Sequence, residues 1–267
     1  MKFVSFASGS SGNCSLVSDN GCHLLIDAGI STRRIQSSLA SQGLLISDIS
    51  GILITHEHSD HIYGLNTMMK KYRIPVYAPP IVAYHLRSAV LGIDENLSEL
   101  PLMVRTCIGE LSVTPFPTPH DTPQSVGYRI EGTAVLGFAT DMGHVTEEIT
   151  FGLTGADAVL IEANHDTELL RYGKYPYTLK KRILSDHGHL SNEDCGALAA
   201  HLAAHGTRYI ILGHLSRENN APALAHQAVS GALAQSGFAP ELHVAPVSDP
   251  LEIEFYSADL NTGSRGA

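Results

Sequence analysis

The stretch Ile52-Leu53-Ile54-Thr55-His56-Glu57-His58-Ser59-Asp60-His61 places three histidines and an aspartate directly after a run of apolar residues. The apolar run follows Gly51 and has no polar face, which predicts a buried strand that ends at Thr55. The histidines and the aspartate then fall on a loop at the carboxyl end of this strand. Imidazole nitrogens and carboxylate oxygens suit zinc, manganese or iron, so the stretch predicts a metal site. The alternative, a solvated turn rich in histidine, gives no reason for the clustering.

The composition is that of an ordinary globular protein. The chain has 267 residues, 43% of them hydrophobic, and a formal net charge of −10. This charge argues against binding nucleic acid through overall basicity, but it does not exclude a nuclease, because bound divalent cations reverse the local field. The four cysteines lack CxxC spacing and predict reduced residues in a cytoplasmic protein. No segment is long enough to span a bilayer, so we expect no membrane association.

The order of the predicted elements favours an α/β layered sandwich, in which mixed sheets are covered by helices. Early strands form hairpins, and helices are predicted over Ile62–Tyr72 and over Pro222–Ser236. A third helix begins after Ser191, where Ser191 and Asp194 can form a capping box. We find no linker or repeat, and we predict one domain over residues 1–257 followed by a mobile tail over residues 258–267.

Three later strands also end in a potential metal ligand, namely His120, Asp141 and His214. Together with the first stretch they supply five histidines and two aspartates, which is the number that two neighbouring ions need when they share a carboxylate. We predict that Asp141 bridges the ions. Asp27, at the end of an earlier strand, is either a further ligand or an acceptor that orients a metal-bound histidine, and we favour the second role. The remaining ligands divide into two sets, one made of His56, His58 and His120 and the other of Asp60, His61 and His214.

The segment Thr55–His61 resembles the HxHxDH signature of the metallo-β-lactamase superfamily, and the three later ligands follow in the expected order. The sequence is closer still to the YycJ/WalJ-type metallo-hydrolases. The segments that carry this resemblance are Ser8–Asn13, Ala139–Asp141, Leu160–Asp166, Gly188–Asp194 and His214–Asn220. The resemblance implies an αββα four-layer sandwich, two Zn²⁺ or Mn²⁺ ions and 5′→3′ exonuclease-type hydrolysis of phosphodiesters by a hydroxide between the ions.

A second resemblance, to tRNA 3′-processing enzymes, rests on Glu162-Ala163 and on the pair His189 and Ser191. In those enzymes the matching Glu and His act in protonating the leaving group, although this chain shows no obvious tRNA-clamping arm. We therefore predict that His189 is the general acid and that Glu162 orients it. The candidate catalytic residues are thus Asp60, Glu162 and His189.

A substrate with phosphates needs hydrogen-bond donors near the ions. We predict that Ser11, Asn13, Arg217 and Asn219 supply them and that the substrate is nucleic acid, with DNA favoured over RNA. The small residues of the loop from Ser8 to Cys14 fit equally well a tight turn or a loop that presents N–H groups to an anion.

Three other functions are compatible with a metal site of this kind. A thioester or lactone hydrolase would cleave an acyl bond and would not need His189 as an acid. A non-catalytic metal-binding protein is hard to reconcile with a full set of ligands. A β-lactamase is the weaker alternative, because that activity commonly uses a Cys ligand or lacks the bridging aspartate.

Overall fold

The computed structural model describes residues 1–257, and the predicted tail over residues 258–267 lies outside the described residues. Within the described part, the chain forms 14 strands in two sheets, together with nine α-helices. The strands are β1 (Lys2–Ala7), β2 (Cys14–Asp19), β3 (Cys22–Ile26), β4 (Gly51–Leu53), β5 (Val76–Ala78), β6 (Leu97–Glu99), β7 (Thr106–Ile108), β8 (Leu111–Thr118), β9 (Ser125–Glu131), β10 (Val135–Ala139), β11 (Ala158–Glu162), β12 (Tyr209–Gly213), β13 (Glu241–Val244) and β14 (Leu251–Glu254). The helices are α1 (Thr32–Ser41), α2 (Ser59–Ile62), α3 (Leu65–Lys71), α4 (Pro80–Ala89), α5 (Glu147–Leu153), α6 (Thr167–Tyr172), α7 (Tyr177–Ile183), α8 (Asn192–Ala204) and α9 (Pro222–Ser236).

Three buried apolar clusters lie between four layers. The first lies between helices and the sheet ordered β14-β1-β2-β3-β4-β5-β6, and the second lies between the two sheets. The third lies between the sheet ordered β13-β12-β11-β10-β9-β8-β7 and the remaining helices. Representative residues of the three clusters are Ile35, Met68 and Leu86; Phe3, Tyr128 and Leu160; and Ile149, Leu198 and Val229. Burying helices against the outer faces of two packed sheets gives the predicted αββα sandwich, which is confirmed.

The strand directions bring the predicted ligands to one edge. β8 and β10 are each antiparallel to β9, and β10, β11 and β12 are parallel to one another, so their carboxyl ends meet at the same edge of the second sheet. The end of β4, in the other sheet, joins this edge through two hydrogen bonds. Val126 donates its N–H to the carbonyl of Thr55 at 3.2 Å, and the Tyr128 hydroxyl donates to the carbonyl of Ile54 at 2.5 Å.

The helix predictions succeeded where local signals were strong. α9 spans the predicted Pro222–Ser236, with Pro in its first turn and Gly237 in the left-handed conformation after it. Ser191 caps α8 as predicted, accepting a hydrogen bond from the backbone N–H of Asp194.

The single helix predicted over Ile62–Tyr72 was wrong. The structure has two helices there, α2 and α3, separated at Tyr63 and Gly64. Gly64 donates its N–H to the carbonyl of Ala28 at 2.8 Å, and a Cβ on Gly64 would lie 2.3 Å from the carbonyl oxygen of Ile30. This close contact with a distant loop interrupts the helix directly after the metal-binding stretch.

Close backbone packing at Gly29 predicts a loss of stability on substitution, and Gly231 provides a control. A Cβ on Gly29 would lie 1.6 Å from the backbone oxygen of Asp60, whereas a Cβ on Gly231, inside α9, would meet nothing within 4 Å. We expect Gly29→Ala to lower the free energy of unfolding by ~1–3 kcal/mol, because the backbone must move. The matched control Gly231→Ala should raise it by up to ~1 kcal/mol, because alanine favours a helix. Urea denaturation of both variants measures the difference, and equal stabilities would contradict the expectation.

Within residues 1–257, no helix combines the length and the apolar character needed to cross a membrane.

Candidate metal centre and active site

The first predicted ligand set comes together at the carboxyl ends of β4 and β8. His56 and His58 lie on the loop after β4, and His120 lies after Thr118, the last residue of β8. Their ligand atoms lie within 4.8 Å of one another, which is the spacing of a metal site. His56 and His120 are buried, whereas His58 is partly exposed. Three imidazoles would hold a divalent ion of the kind that activates water in metal-dependent hydrolases.

The second predicted set lies beside the first. Asp60 and His61 occupy the short helix α2, and His214 follows β12 of the other sheet. The ligand atoms of these three residues also lie within 4.8 Å of one another. Both sets therefore join residues from the two different sheets at their common edge.

Asp141 lies between the two sets. One carboxylate oxygen, Oδ2, is 3.3 Å from Nε2 of His61, and the other, Oδ1, is 3.7 Å from Nε2 of His120. Oδ1 is also 3.5 Å from Nδ1 of His214. Burial raises the pKa of Asp141, but the imidazoles around it outweigh this effect and hold the pKa well below its usual range. The side chain thus presents a carboxylate to both sets at once.

The centre also contains buried polar atoms that lack hydrogen bonds. Within the described residues, these include Nε2 of His56, Nε2 of His214 and Oδ2 of Asp141. A buried nitrogen or oxygen without a partner is costly, and native proteins rarely retain one without a function. Because these atoms belong to nitrogen and carboxylate ligands of clusters that could hold a metal ion, the residues fit a bound divalent cation.

Asp27 supports the ligand His61 from behind. Its Oδ2 is 2.7 Å from Nδ1 of His61, and its Oδ1 accepts the backbone N–H of Thr55 at 2.9 Å. Burial lowers the pKa of His61, but Asp27 and Asp141 outweigh it and raise that pKa to about 9. The hydrogen bond at Nδ1 leaves Nε2 to face the metal site, as we predicted for Asp27.

This arrangement predicts the effect of replacing Asp27. Asp27→Ala removes the acceptor that fixes the His61 ring, so we expect metal affinity to fall by ~10- to 100-fold. Competition against a chromogenic chelator measures the affinity of each variant. Asp48→Ala, which changes an aspartate of a short helical turn elsewhere, is the charge-matched control. Unchanged metal affinity in Asp27→Ala would contradict a positioning role.

Three residues of the centre adopt a left-handed backbone conformation. The φ angles are 61° at Asp27, 58° at Asp141 and 55° at His214. Non-glycine residues rarely adopt this conformation, and strained residues concentrate at functional sites. The surrounding structure therefore holds these three side chains in place at a cost in backbone strain. The sequence analysis did not predict this conformation at any of the three positions, although Asp and His adopt it more often than most other residues.

Glu162 and His189, the predicted catalytic pair, are in direct contact. Oε1 of the fully buried Glu162 is 2.8 Å from Nδ1 of His189, and Oε2 accepts the backbone N–H of Met142 at 2.9 Å. Burial opposes the charge on both groups, but their mutual attraction outweighs it. The pKa of Glu162 falls to about 2, and the pKa of His189 rises above its usual value. The contact leaves Nε2 of His189 as the nitrogen available to a substrate.

Glu162 has a further partner that the sequence reasoning missed. Its Oε1 is also 2.8 Å from Nδ1 of the ligand His214. The register of the parallel strands explains this contact, because Glu162 pairs with Gly213, the neighbour of His214. A sequence signal existed, since both residues end apolar strands. One carboxylate therefore orients both a predicted ligand and the predicted acid.

The structure places Ser11 and Arg217 at the surface of the site. Nη2 of Arg217 donates to the hydroxyl of Ser11 at 2.7 Å, and both side chains are exposed. Their role as phosphate donors stays a prediction. The loop that carries Ser11 also supports the metal centre, because the hydroxyl of Ser8 accepts the backbone N–H of His214 at 2.8 Å.

The structure does not support the same role for Asn13 and Asn219. Both are buried, with 4% and 1% of their surfaces exposed. Oδ1 of Asn13 accepts the backbone N–H of Gly9 at 2.8 Å, and its Nδ2 lies 3.0 Å from Nε2 of His61. Nδ2 of Asn219 points to the hydroxyl of Ser216 at 3.5 Å. These contacts occupy their amides within the protein, so the structure adds no support to the predicted phosphate contacts of Asn13 and Asn219.

Two cavities flank the metal centre and share Ser10. One, of about 220 Å³, is lined by His189, Asp121 and Arg182 among others. The other, of about 350 Å³, is lined by Asp60 and Ser11.

The fold and this ligand set define a metal-dependent hydrolase. Residues 23–215 match the family model described as a beta-lactamase superfamily domain. The chain is 37% identical over 262 residues to the exodeoxyribonuclease YycJ of Bacillus anthracis, which covers 96% of this chain and 99% of that protein. It is 40% identical over 239 residues to the exodeoxyribonuclease WalJ of Streptococcus pneumoniae, which covers 88% of this chain and 89% of that protein. The chain belongs to the metallo-β-lactamase superfamily and, within it, to the YycJ/WalJ family, as the sequence predicted.

Solved structures show the same fold at low sequence identity. Zn²⁺-bound PqqB from Methylobacterium extorquens has a TM-score of 0.72 and 20% identity, with 96% of this chain and 100% of that chain covered. The short form of human tRNase Z has a TM-score of 0.63 and 17% identity, with 96% and 100% covered. The family and the ligand clusters together make this chain a hydrolase that binds divalent metal.

Proposed function

We propose that this protein is an exonuclease that hydrolyses phosphodiester bonds of DNA in the 5′→3′ direction. The observation that carries the proposal is the contact between the buried Glu162 and the partly exposed His189 beside the predicted metal ligands. Breaking a phosphodiester releases a strongly basic 3′ oxygen, which needs a proton. A thioester releases a weakly basic thiolate that leaves without a proton, so the pair favours the nuclease over a thioester hydrolase. The names of the YycJ and WalJ relatives support DNA as the substrate.

The proposed cofactors are two divalent ions, Zn²⁺ or Mn²⁺. The two ligand sets on either side of Asp141 support two ions rather than one. When bound, such ions activate a water molecule and neutralise charge on the phosphate oxygens. His56, His58 and His120 would hold one ion, and Asp60, His61 and His214 would hold the other, with Asp141 shared.

The protein side chains have separate tasks in this reaction. Nε2–H of His189 gives its proton to the 3′ oxygen as the bond between phosphorus and that oxygen breaks. Glu162 accepts the hydrogen bond from Nδ1 of His189 and keeps the ring protonated before the step. Arg217 and Ser11, which are exposed at the rim of the site, supply donors for a phosphate that is not cleaved.

A cytoplasmic location fits the cysteines. Cys14, Cys22 and Cys195 are buried and free, and the exposed Cys107 is free as well. Burial raises the pKa of the Cys14 and Cys195 thiols, which keeps them unreactive. Thiols that form no disulfides are typical of a reducing compartment.

A nuclease assay tests the proposed function. Purified protein is supplied with Mn²⁺ or Zn²⁺ and given 5′-phosphorylated DNA or RNA, labelled at either end. We expect metal-dependent release of label from the 5′ end of DNA, faster than from RNA, and complete loss of activity in excess chelator. Release from the 3′ end first would overturn the polarity. Hydrolysis of a thioester or lactone without cleavage of either nucleic acid would overturn the proposal.

A further inference from the structure

A short basic and aromatic segment borders the active site. The Tyr/Lys segment, residues 171–182, reads Arg-Tyr-Gly-Lys-Tyr-Pro-Tyr-Thr-Leu-Lys-Lys-Arg and contains five of the chain's 17 basic residues, three of its ten tyrosines and no acid. The rest of the chain carries all 27 acidic residues. Positive charge is therefore concentrated at this segment in a protein whose net charge is strongly negative.

Two of the three tyrosines are unusually exposed. Tyr172 is 83% exposed and Tyr177 is 79% exposed, and neither contributes to a core. Tyr175 lines the cavity that also contains His189. Large exposed aromatic side chains next to a site are typical of a surface that binds a partner. Tyr175 thus lies at the cavity, whereas Tyr172 and Tyr177, its close neighbours in the sequence, are on the exposed surface.

Internal contacts fix the Tyr/Lys segment in place. Nζ of Lys180 donates to the carbonyl of Arg171 at 2.8 Å and to the carbonyl of Gly173 at 2.6 Å, which ties the loop to α7. Arg182 pairs with Asp121, whose Oδ1 lies 3.2 Å from Nε2 of the predicted ligand His120. The segment is therefore preorganised and anchored to the metal centre. Asp121 is the acidic group in this cavity, and Arg182 balances its charge.

The other cations of the Tyr/Lys segment do not make such contacts. In the described part of the chain, Arg171, Lys174 and Lys181 are exposed and form no salt bridge with an acidic residue. Their charges remain available to a polyanion. Exposed aromatic rings combined with unpaired cations are the arrangement by which proteins bind single-stranded nucleic acid.

We propose that the Tyr/Lys segment is the surface that binds single-stranded DNA next to the bond that is cut. Tyr175, Tyr172 and Tyr177 stack on successive unpaired bases, while Arg171, Lys174 and Lys181 contact the phosphates. This inference rests on the proposed function, because it assumes that the DNA strand runs from the cavity at His189 onto the Tyr/Lys segment. A single strand fits better than a duplex, since a tyrosine ring can stack only on a base that has left its own stack.

Binding measurements on the tyrosines test the inference. Fluorescence anisotropy follows labelled oligothymidylates of increasing length, in chelator so that nothing is cleaved. We expect Tyr172→Ala and Tyr177→Ala combined to weaken binding of the longer strands by at least ~10-fold, and to flatten the dependence of affinity on length. Tyr172→Phe and Tyr177→Phe, which keep the rings, should restore most of the affinity. The control is Tyr84→Ala, since Tyr84 is 70% exposed on α4.

The dependence of binding on salt tests the cations separately. Each phosphate contact with a single strand contributes about −0.7 to the slope of log affinity against log salt concentration. Lys174→Gln and Lys181→Gln should each make the slope less negative by about that amount. The control pair, Lys70→Gln and Lys71→Gln, changes two exposed lysines at the end of α3 and should leave the slope unchanged.

The two proposals fail in different ways. If wild-type protein cleaves DNA and the tyrosine and lysine variants bind it as wild type does, the Tyr/Lys segment is not the binding surface and the nuclease assignment stands. If wild-type protein neither cleaves nor binds DNA, the proposed function fails. If the alanine variants and the phenylalanine variants bind equally weakly, stacking is not the cause and the inference is overturned. The same holds if thermal melting shows that the weak binding of the alanine variants comes from unfolding. If RNA and DNA single strands bind equally well, the preference for DNA does not come from this surface.

Discussion

Replacing Asp141 with Asn should lower kcat/KM for DNA cleavage by at least ~1,000-fold, which is the size of effect expected when several kcal/mol of charge stabilisation by metal is lost. Asp141 is placed between both ligand sets, and its two oxygens face histidines of each set. An amide keeps the shape of the side chain but has one oxygen and no charge. It therefore cannot serve two cations as a carboxylate does.

Asn is the better substitution because of the backbone. Asp141 has a φ of 58°, a conformation that Asn tolerates well and that strains Ala. Asp141→Ala thus combines loss of the ligand with strain, and a difference in melting temperature between the two variants measures that strain. Metal content by mass spectrometry should fall in both. Nuclease activity that survives either substitution would point to a contaminant, and full metal content with no activity would deny Asp141 a bridging role.

The sequence predicted the elements whose signals are local. α9 was predicted at both ends, from Pro222 to Ser236. The strands were predicted from apolar runs that stop at polar residues, but the strand predicted to end at Thr55 ends at Leu53, because Thr55 donates its N–H to the Asp27 side chain and not to a neighbouring strand. The ligand sets were predicted because strands that share a direction finish at one edge of a sheet, and the structure places those residues together. The assignment of ligands to two ions stays a prediction.

What the sequence could not predict depends on contacts between distant segments. Gly64 divides the predicted helix because the loop at Ala28 and Ile30 packs against it, and nothing within that helix signals the contact. Asn13 and Asn219 have the side chains of phosphate donors, but the structure buries them. Polar type indicates what a residue can bind, whereas only the fold determines which partner it meets.

The shared carboxylate of Glu162 connects the metal centre to the acid. Oε1 of Glu162 lies 2.8 Å from Nδ1 of His189 and 2.8 Å from Nδ1 of His214. Any change at Glu162 therefore affects the predicted acid and a predicted ligand together. Glu162→Gln cannot separate these two roles. The acid must be tested at His189, which no predicted ligand set includes.

His189→Ala should lower kcat for DNA cleavage by ~100- to 10,000-fold, the contribution typical of a general acid, while metal content stays unchanged. A rival arrangement exists, because Asp141, Glu162, His189 and His214 also place ligand atoms within 4.8 Å of one another. If His189 is a ligand, the variant loses metal. Measuring metal content and turnover on the same preparation decides between the two roles.

The identity of the leaving group gives the sharper test of His189. A p-nitrophenyl ester of thymidine 5′-phosphate releases a weakly basic phenolate that leaves without a proton, so His189→Ala should slow its hydrolysis by less than ~10-fold. A loss as large as that for DNA would show that His189 acts on the metal centre or on phosphate binding instead. His187→Ala is the matched control, because His187 lies two residues away and is exposed. A selective loss on the basic leaving group alone therefore identifies His189 as the proton donor.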